Sequence, residues 1–330
     1  MSDATLPAMP VLPAPRRMGH AAFWLACAVA ALAVIAVLRG IGSEYAYFAA
    51  TFVLQYVVLA TAWNILGGYA GYVNFGAAAF FAAGAYTTVA IGKALGLSLL
   101  PCIAFAALVG GALGLGTGLL TLRLRGAYFA IATLCLSVVL QTLVVNWSYV
   151  GGSRGAYVIR PRDVPWPFDT YGGYLCAVVV VLAAAAIAIA RTIEKSRLGL
   201  GLGLAALRDD EQAAEAAGVP TLRLKLIATT ISGAMMAVAG APLPLLGSYV
   251  EPNSAFGLAY AVNAIAMPLI GGTASWAGPL IGAVVLASLQ QAATVTISSA
   301  ANLLIVGVVL VVFVCAAPHG ILGLFKKGAR

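Results

Sequence analysis

Charged side chains are scarce in this chain: Asp, Glu, Lys and Arg together make up 8% of it. A soluble domain carries about a quarter charged residues. With 62% of its residues hydrophobic, a soluble fold of this length could not cover its surface, and a bilayer is the solvent that removes the difficulty. Cysteine is sparse as well. Cys27, Cys102, Cys135, Cys176 and Cys315 each lie in or beside an apolar stretch, and none belongs to a Cys-x-x-Cys or Cys/His arrangement. Buried thiols behave as small hydrophobes, so no disulfide and no metal site is expected. His20 and His319 stand alone near the two ends.

Catalytic and nucleotide motifs are missing too. Lys93 follows Gly92, but the glycine spacing of a phosphate loop and the following Ser or Thr are absent. Gly199, Gly201 and Gly203 alternate without the preceding strand of a dinucleotide fold, and read as a glycine-rich lead into a helix. No cluster of carboxylate, His and Cys falls at one depth, so the chain is not expected to be an enzyme or to hold a cofactor. Net charge is +8, yet no Lys/Arg run is interleaved with aromatics, which sets nucleic acid aside. Basic residues of this kind belong in the cytoplasmic loops that set membrane topology.

What is present is a succession of apolar runs. A spanning helix needs about 20 mostly apolar residues. Ten candidates occur, at roughly 21–38, 45–66, 72–92, 97–121, 127–148, 173–190, 226–247, 256–271, 278–297 and 299–317. Of these, 72–92 and 256–271 are short or glycine-interrupted, and either a full crossing or a re-entrant segment fits them. Helices satisfy their own backbone hydrogen bonds in lipid, and the alternating ten-residue segments of a barrel are absent. The expectation is an all-α polytopic membrane protein of the inner membrane, embedded in lipid. The first run follows Arg16-Arg17 and reads as an uncleaved anchor with its N-terminus inside. Ten crossings then bring the C-terminus inside as well. That topology places 13 basic residues inside and 5 outside, the expected asymmetry. The chain thus divides into a cytoplasmic tail (1–20), a membrane domain (21–318) and a second cytoplasmic tail (319–330). Its longest outside loop is 149–172 and its longest inside loop 191–225.

The apolar runs carry no Asp, Glu, Lys or Arg. A proton-coupled carrier keeps an ionisable group within the membrane to bind and release the proton, and none is available here. Sodium coupling through carbonyls and hydroxyls stays open. Without a nucleotide site in the chain, active transport has to draw its energy from another subunit.

The inside loop holds most of the charge. Residues 205–217 are strong helix formers. Asp209, Asp210 and Glu211 stand near the start of the stretch, where the helix dipole favours them. Gly218 supplies a stop and Pro220 blocks continuation. One helix of about three turns is expected, either a solvated connector or a lever docked in a partner's groove.

The loop sequence, Lys195-Ser-Arg-Leu-Gly through Leu207-Arg-Asp-Asp-Glu-Gln-Ala-Ala-Glu-Ala-Ala-Gly-Val219 to Leu224-Lys-Leu-Ile-Ala228, resembles the coupling loop of ABC-importer permeases, in particular the branched-chain amino acid (LivM-type) permeases. Three further blocks agree in order: Gly67 to Gly76 with Ala79-Phe80-Phe81 and Gly84-Ala85-Tyr86; Leu122 to Leu134; and Ile270 to Thr273 with Trp276 to Ala283. The resemblance covers roughly 45–318. It implies a permease subunit working with a second homologous permease, two cytoplasmic ATPases and an external solute-binding protein. It also implies an ATPase-coupling element comprising Arg208, Asp209, Asp210, Glu211, Glu215 and Gly218. Many family members have a Gln-Leu-Ser stretch and a Gly-His pair in the first block, where this chain has Tyr72-Val73-Asn74-Phe75 and Ala77. That departure leaves branched-chain amino acids, urea, short amides or another small solute as cargo. A stand-alone secondary carrier and a scaffolding protein are the readings from other classes.

Two glycine-rich breaks, 67–76 and 271–282, flank short runs, one in each half of the chain. Paired interruptions point to a transport path, and equally to close helix packing through small residues. Asn64, Asn74, Gln141 and Asn263 are amides within apolar runs. They are candidates for the path or for hydrogen bonds between helices.

Overall fold

The computed structural model describes residues 19–121, 124, 126–161, 164–196, 199–296, 304, 307–312 and 320–327. Among them, nine helical segments are long and apolar enough to cross a membrane. They begin with α1 (His20–Ile41), α2 (Glu44–Asn64), α3 (Ala77–Leu95), α4 (Leu99–Thr121), α5 (Ala127–Val145) and α6 (Tyr171–Glu194). Two short helices follow, α7 (Leu200–Asp209) and α8 (Glu211–Ala216). The second group comprises α9 (Thr221–Gly240), α10 (Leu243–Gly247), α11 (Pro252–Ala255), α12 (Leu258–Gly271) and α13 (Ala277–Thr296), with α14 (Gly320–Lys327) last. The chain is an all-α, multi-pass membrane protein. The run at 299–317 lies mostly outside the described residues; Leu304 and 307–312 are helical.

The helices form a layer with two distinct ends. At one end, Gly68 lies against Thr273, and Gly320 against Gly272. The ring of Phe23 meets Trp276 edge-on at 5.0 Å. At the other end, Arg39 donates to the Pro167 carbonyl at 2.8 Å and Lys93 to the Tyr149 carbonyl at 2.9 Å. Ala156–Tyr157 (β1) pairs antiparallel with Tyr249–Val250 (β2) at that same end. Arg160 donates to the carbonyls of Leu245 and Leu246, fastening the long loop to α10. We label the first end inner and the second outer.

The helices run beyond the apolar cores, which amends the picture of spans without charge. Arg39, Glu44, Lys93, Arg191, Glu194, Arg223 and Lys225 all lie within helices, each in a terminal turn or next to one. The middle of every described span is free of Asp, Glu, Lys and Arg. A second amendment concerns 72–92. That helix starts at Ala77, because 65–69 form a π turn extending α2 and 70–76 are non-helical. From Ala77 it runs the full depth of the layer, ending beside Tyr149. The run at 256–271 also connects the two ends, from Glu251 beside Gly155 to Thr273 beside Gly68.

Tight crossings between helices are made by small residues. Cβ atoms added at Gly84 or Gly240 would fall far inside contact with the carbonyl oxygens of Ala237 and Phe81, so α3 and α9 touch backbone to backbone. Gly110 and Gly114 do the same for α4 against α9, and Gly118 admits the Thr229 and Leu226 side chains. Helices of apolar surface gain little hydrophobic drive from each other in lipid, so close van der Waals packing holds them. The buried core centres on α2, with Val57, Leu59 and Ile65 fully enclosed together with Phe80, Phe81, Met236, Met267 and Leu286.

Candidate functional site

The inner end gathers the groups that the sequence scattered. The segment expected as one helix over 205–217 is two. Asp210 has extended backbone (φ −158°, ψ 113°) between α7 and α8. Its carboxylate accepts from the Gln212 and Ala213 amides at 2.8 and 3.1 Å, an N-cap that starts α8 afresh. Arg208 and Asp209 therefore close α7, and Glu211 and Glu215 belong to α8. Gly218 takes φ +83°, the left-handed stop expected of it. Its amide bonds back to the Glu215 carbonyl at 2.9 Å.

Both short helices are seated on the membrane helices. Leu204, Leu207 and Ala214 are buried. Gly203 admits the Leu224 side chain where a Cβ would stand. Gly71, at φ +78°, admits the Arg208 side chain in the same way. The strongest tie is polar. Glu211 forms an ion pair with Lys225 in the second turn of α9, their side chains only 12% and 8% exposed. The Tyr72 hydroxyl donates to the second Glu211 oxygen. The Lys225 ammonium also lies 4.7 Å from the Tyr72 ring centroid, within cation–π range. Tyr72 in turn meets Phe129 of α5 edge-on at 5.2 Å. Glu215 accepts from the Thr221 hydroxyl at 2.8 Å, tying α8 to the first residue of α9. Lys225, Tyr72 and Thr221 are not among the site residues expected from the sequence, where Tyr72 stands out only as a departure from the family pattern. Their only signal was local: a polar residue at each end of an apolar run.

One carboxylate joins the two glycine-rich breaks to this end. The Glu194 Oε2 accepts from the Trp276 amide at 2.6 Å and from the Tyr69 hydroxyl at 3.5 Å. The Asn64 amide nitrogen donates to the Thr273 carbonyl at 3.2 Å, linking the break after α2 to the break after α12. The two interruptions, some 200 positions apart in sequence, thus meet in space. Within the second, a Cβ at Gly271 or Gly282 would collide with backbone of the facing helix, and one at Gly278 with the backbone of Gly272 just past α12. Small-residue packing therefore accounts for those glycines.

The four candidate amides go to different places. Asn74 forms a turn: its Oδ1 accepts from the Gly76 amide at 2.8 Å and its carbonyl from the Trp63 indole at 2.8 Å. Asn64 bridges the breaks at the inner end. Asn263 is buried mid-layer, donating to the Tyr56 hydroxyl at 3.3 Å and accepting from Gln290 at 2.9 Å. Gln141 stands towards the outer end and donates to Asn253 at 3.1 Å. Gln55 and Gln290, at 5% and 3% exposure, are buried amides that nothing in the sequence marks out. Gln55 donates to the Ala239 carbonyl at 2.8 Å, a link from α2 to α9.

Gln290→Leu should leave the Asn263 carbonyl oxygen without its donor in an apolar setting, and an orphaned buried acceptor costs about 1–3 kcal/mol. The expected outcome is a lower unfolding temperature in mild detergent, with Gln290→Glu intermediate. An unshifted melting curve for Gln290→Leu would show that this bond contributes nothing.

A multi-pass helical protein with its charge concentrated at the membrane edges, and with two broken helices abutting at one end, has the build of a transport permease. Comparison with known families sharpens the class. A family profile described as branched-chain amino acid transport system / permease component matches residues 45–314, and the chain belongs to that family. Two curated relatives carry the name high-affinity branched-chain amino acid transport system permease protein LivM. The Salmonella typhimurium protein is 29% identical over 261 residues, covering 72% of this chain and 61% of the relative. The Escherichia coli protein is 28% identical over the same shares. The chain therefore spans about three fifths of the length of the curated relatives it matches. No solved structure matches it.

Proposed function

We propose that this chain is a membrane permease subunit of an ATP-driven ABC importer in the inner membrane, moving branched-chain or related amino acids by alternating access. Separate subunits hydrolyse the ATP. A homologous second permease completes the membrane portion, two cytoplasmic ATPases dock at the inner end, and an external solute-binding protein delivers cargo at the outer end. Family membership supports the class of transport. The names of the relatives support the cargo. Urea or a short amide is the alternative cargo, because Tyr72 to Phe75 and Ala77 depart from the family pattern.

The observation that carries the coupling role is the seat of α8. Its inward residues are fixed to α9 and to the 70–76 segment through Glu211, Lys225, Tyr72 and Thr221. Its Gln212, Ala213, Ala216 and Ala217 remain exposed, as do Asp209 and Asp210 before it and Gly218 after it. A short, capped helix with one anchored face and one free face transmits a push; a floppy connector does not. In this reading an ATPase presses on the exposed face, and the pair of broken helices takes up the displacement.

The test is association. Purified in mild detergent, the full chain should bring down two ATPase subunits and a second permease. Glu215→Lys with Gly218→Leu should abolish ATPase association while leaving membrane insertion unchanged. Unchanged association would remove α8 as the docking element, and a homomer that transports without ATPases would overturn the importer reading.

A further inference from the structure

The outer half of the layer contains an aromatic cavity of about 180 Å³, bounded by α2, α3, α10 and α12. Its walls are Phe48, Phe52, Phe81 and Tyr260, with Leu243 and Leu246 of α10 above. The rings pack on one another: Phe81 stacks on Tyr260 at 4.3 Å between centroids, and Phe52 meets Tyr56 edge-on at 5.0 Å. No charged residue lines the space. Its floor is polar. Tyr56 lines the cavity, and its hydroxyl takes a hydrogen bond from Asn263, which in turn is held by Gln290. Gln55 also lines it.

We infer that this cavity receives the aliphatic side chain of the transported amino acid on its way through the permease. The inference rests on the importer reading above and adds a site and a selectivity to it. Three features support that occupant. The volume falls below the roughly 300–1,000 Å³ of drug-sized sites and suits a solute with one short apolar branch. The walls are almost wholly aromatic and aliphatic, which favours an apolar branch over a polar one. The lining members that reach the surface are Phe48 and Gly247, so a zwitterion seated there leaves both charged ends, for which the lining offers no counter-charge, in water while only its apolar branch enters. An anionic or cationic solute would find no counter-charge there.

Gly247 offers a clean test, because a Cβ at this position meets no atom within 4 Å. Gly247→Phe should narrow the mouth without disturbing the fold. Uptake of labelled leucine and alanine is measured in vesicles carrying the full chain with its co-purifying subunits and binding protein. Leucine uptake should fall roughly tenfold relative to alanine, the scale on which an apolar pocket discriminates a few methylenes. Tyr260→Ala should act oppositely, raising phenylalanine uptake relative to leucine, a gain that misfolding cannot mimic. A retained leucine-to-alanine ratio in Gly247→Phe together with a retained phenylalanine-to-leucine ratio in Tyr260→Ala would overturn the cavity assignment while leaving the importer reading intact. Absence of amino acid uptake by the unmodified assembly would overturn the importer reading and this inference together.

Discussion

Lys225→Met abolishes coupled uptake, by our expectation, and does so through Glu211. The carboxylate is 12% exposed and receives the Lys225 ammonium on one oxygen and the Tyr72 hydroxyl on the other. Removing one partner of a buried ion pair costs about 3–5 kcal/mol, because the remaining charge stays desolvated. Since each 1.4 kcal/mol is about a factor of ten in an equilibrium, the seated state of α8 would lose most of its population. The intrinsic attraction of such a pair is small by comparison, and replacing both members by apolar residues can be neutral. That difference gives the test its control. Glu211→Leu combined with Lys225→Met should restore resistance of the 199–220 segment to proteolysis, whereas the single change should leave it cleavable. The reversed pair, Glu211→Lys with Lys225→Glu, should recover part of the uptake. Lys225→Met with normal protease resistance and normal uptake would show that the buried pair does not hold the loop.

Much of the layer was legible in the sequence because lipid imposes a simple rule: about 20 apolar residues, no charge, polar edges. The runs at 97–121 and 127–148 therefore match α4 and α5 to within a few residues. The places where reading failed share a cause, which is that local preference and tertiary placement disagree. The stretch 205–217 has the composition of one helix. Asp210 nevertheless caps a new one, so that α8 can turn its Glu211 towards α9. An Asp ahead of Glu211-Gln212-Ala213 is itself an N-cap signal, and strong helix propensity on both sides concealed it. The apolar run at 72–92 begins before its helix does, because Tyr72, Val73 and Phe75 are apolar, although Gly71 and Asn74 carry turn chemistry. Gln55 and Gln290 look no different from Gln141 in sequence. Only the three-dimensional packing buries the first two and leaves the third towards the outer end beside Asn253. The cluster of Tyr72, Glu211 and Lys225 spans more than 150 positions, a distance over which no local pattern speaks.

Gly282→Ala and Gly116→Ala pose the same chemical change at two positions and should move stability in opposite directions. In a helix interior, alanine is favoured over glycine by about 0.5–1 kcal/mol, since glycine loses more backbone freedom on folding. Gly116 of α4 has no atom within 4 Å of an added Cβ, so the helix gain should appear as a modest rise in unfolding temperature. At Gly282 of α13 an added Cβ would fall well inside contact with the Met267 carbonyl oxygen and 2.9 Å from the Gly271 nitrogen, both backbone atoms of α12. Neither can swing aside as a side chain end would. Overpacking costs about 1–3 kcal/mol where the surroundings can shift, and here the yielding element must be a whole helix. Gly278 of α13 meets the Gly272 backbone, and Gly271 of α12 meets that of Gly278 and Gly282 in return, so α12 and α13 would separate along the length that positions Thr273 against Gly68 and Asn64. Gly282→Leu should therefore remove the monodisperse peak in detergent size-exclusion chromatography and end uptake, with Gly282→Ala lying between it and the unmodified chain. If Gly282→Ala instead raised the unfolding temperature as Gly116→Ala does, the two helices would have room to spare, and the meeting of the two breaks would need another support.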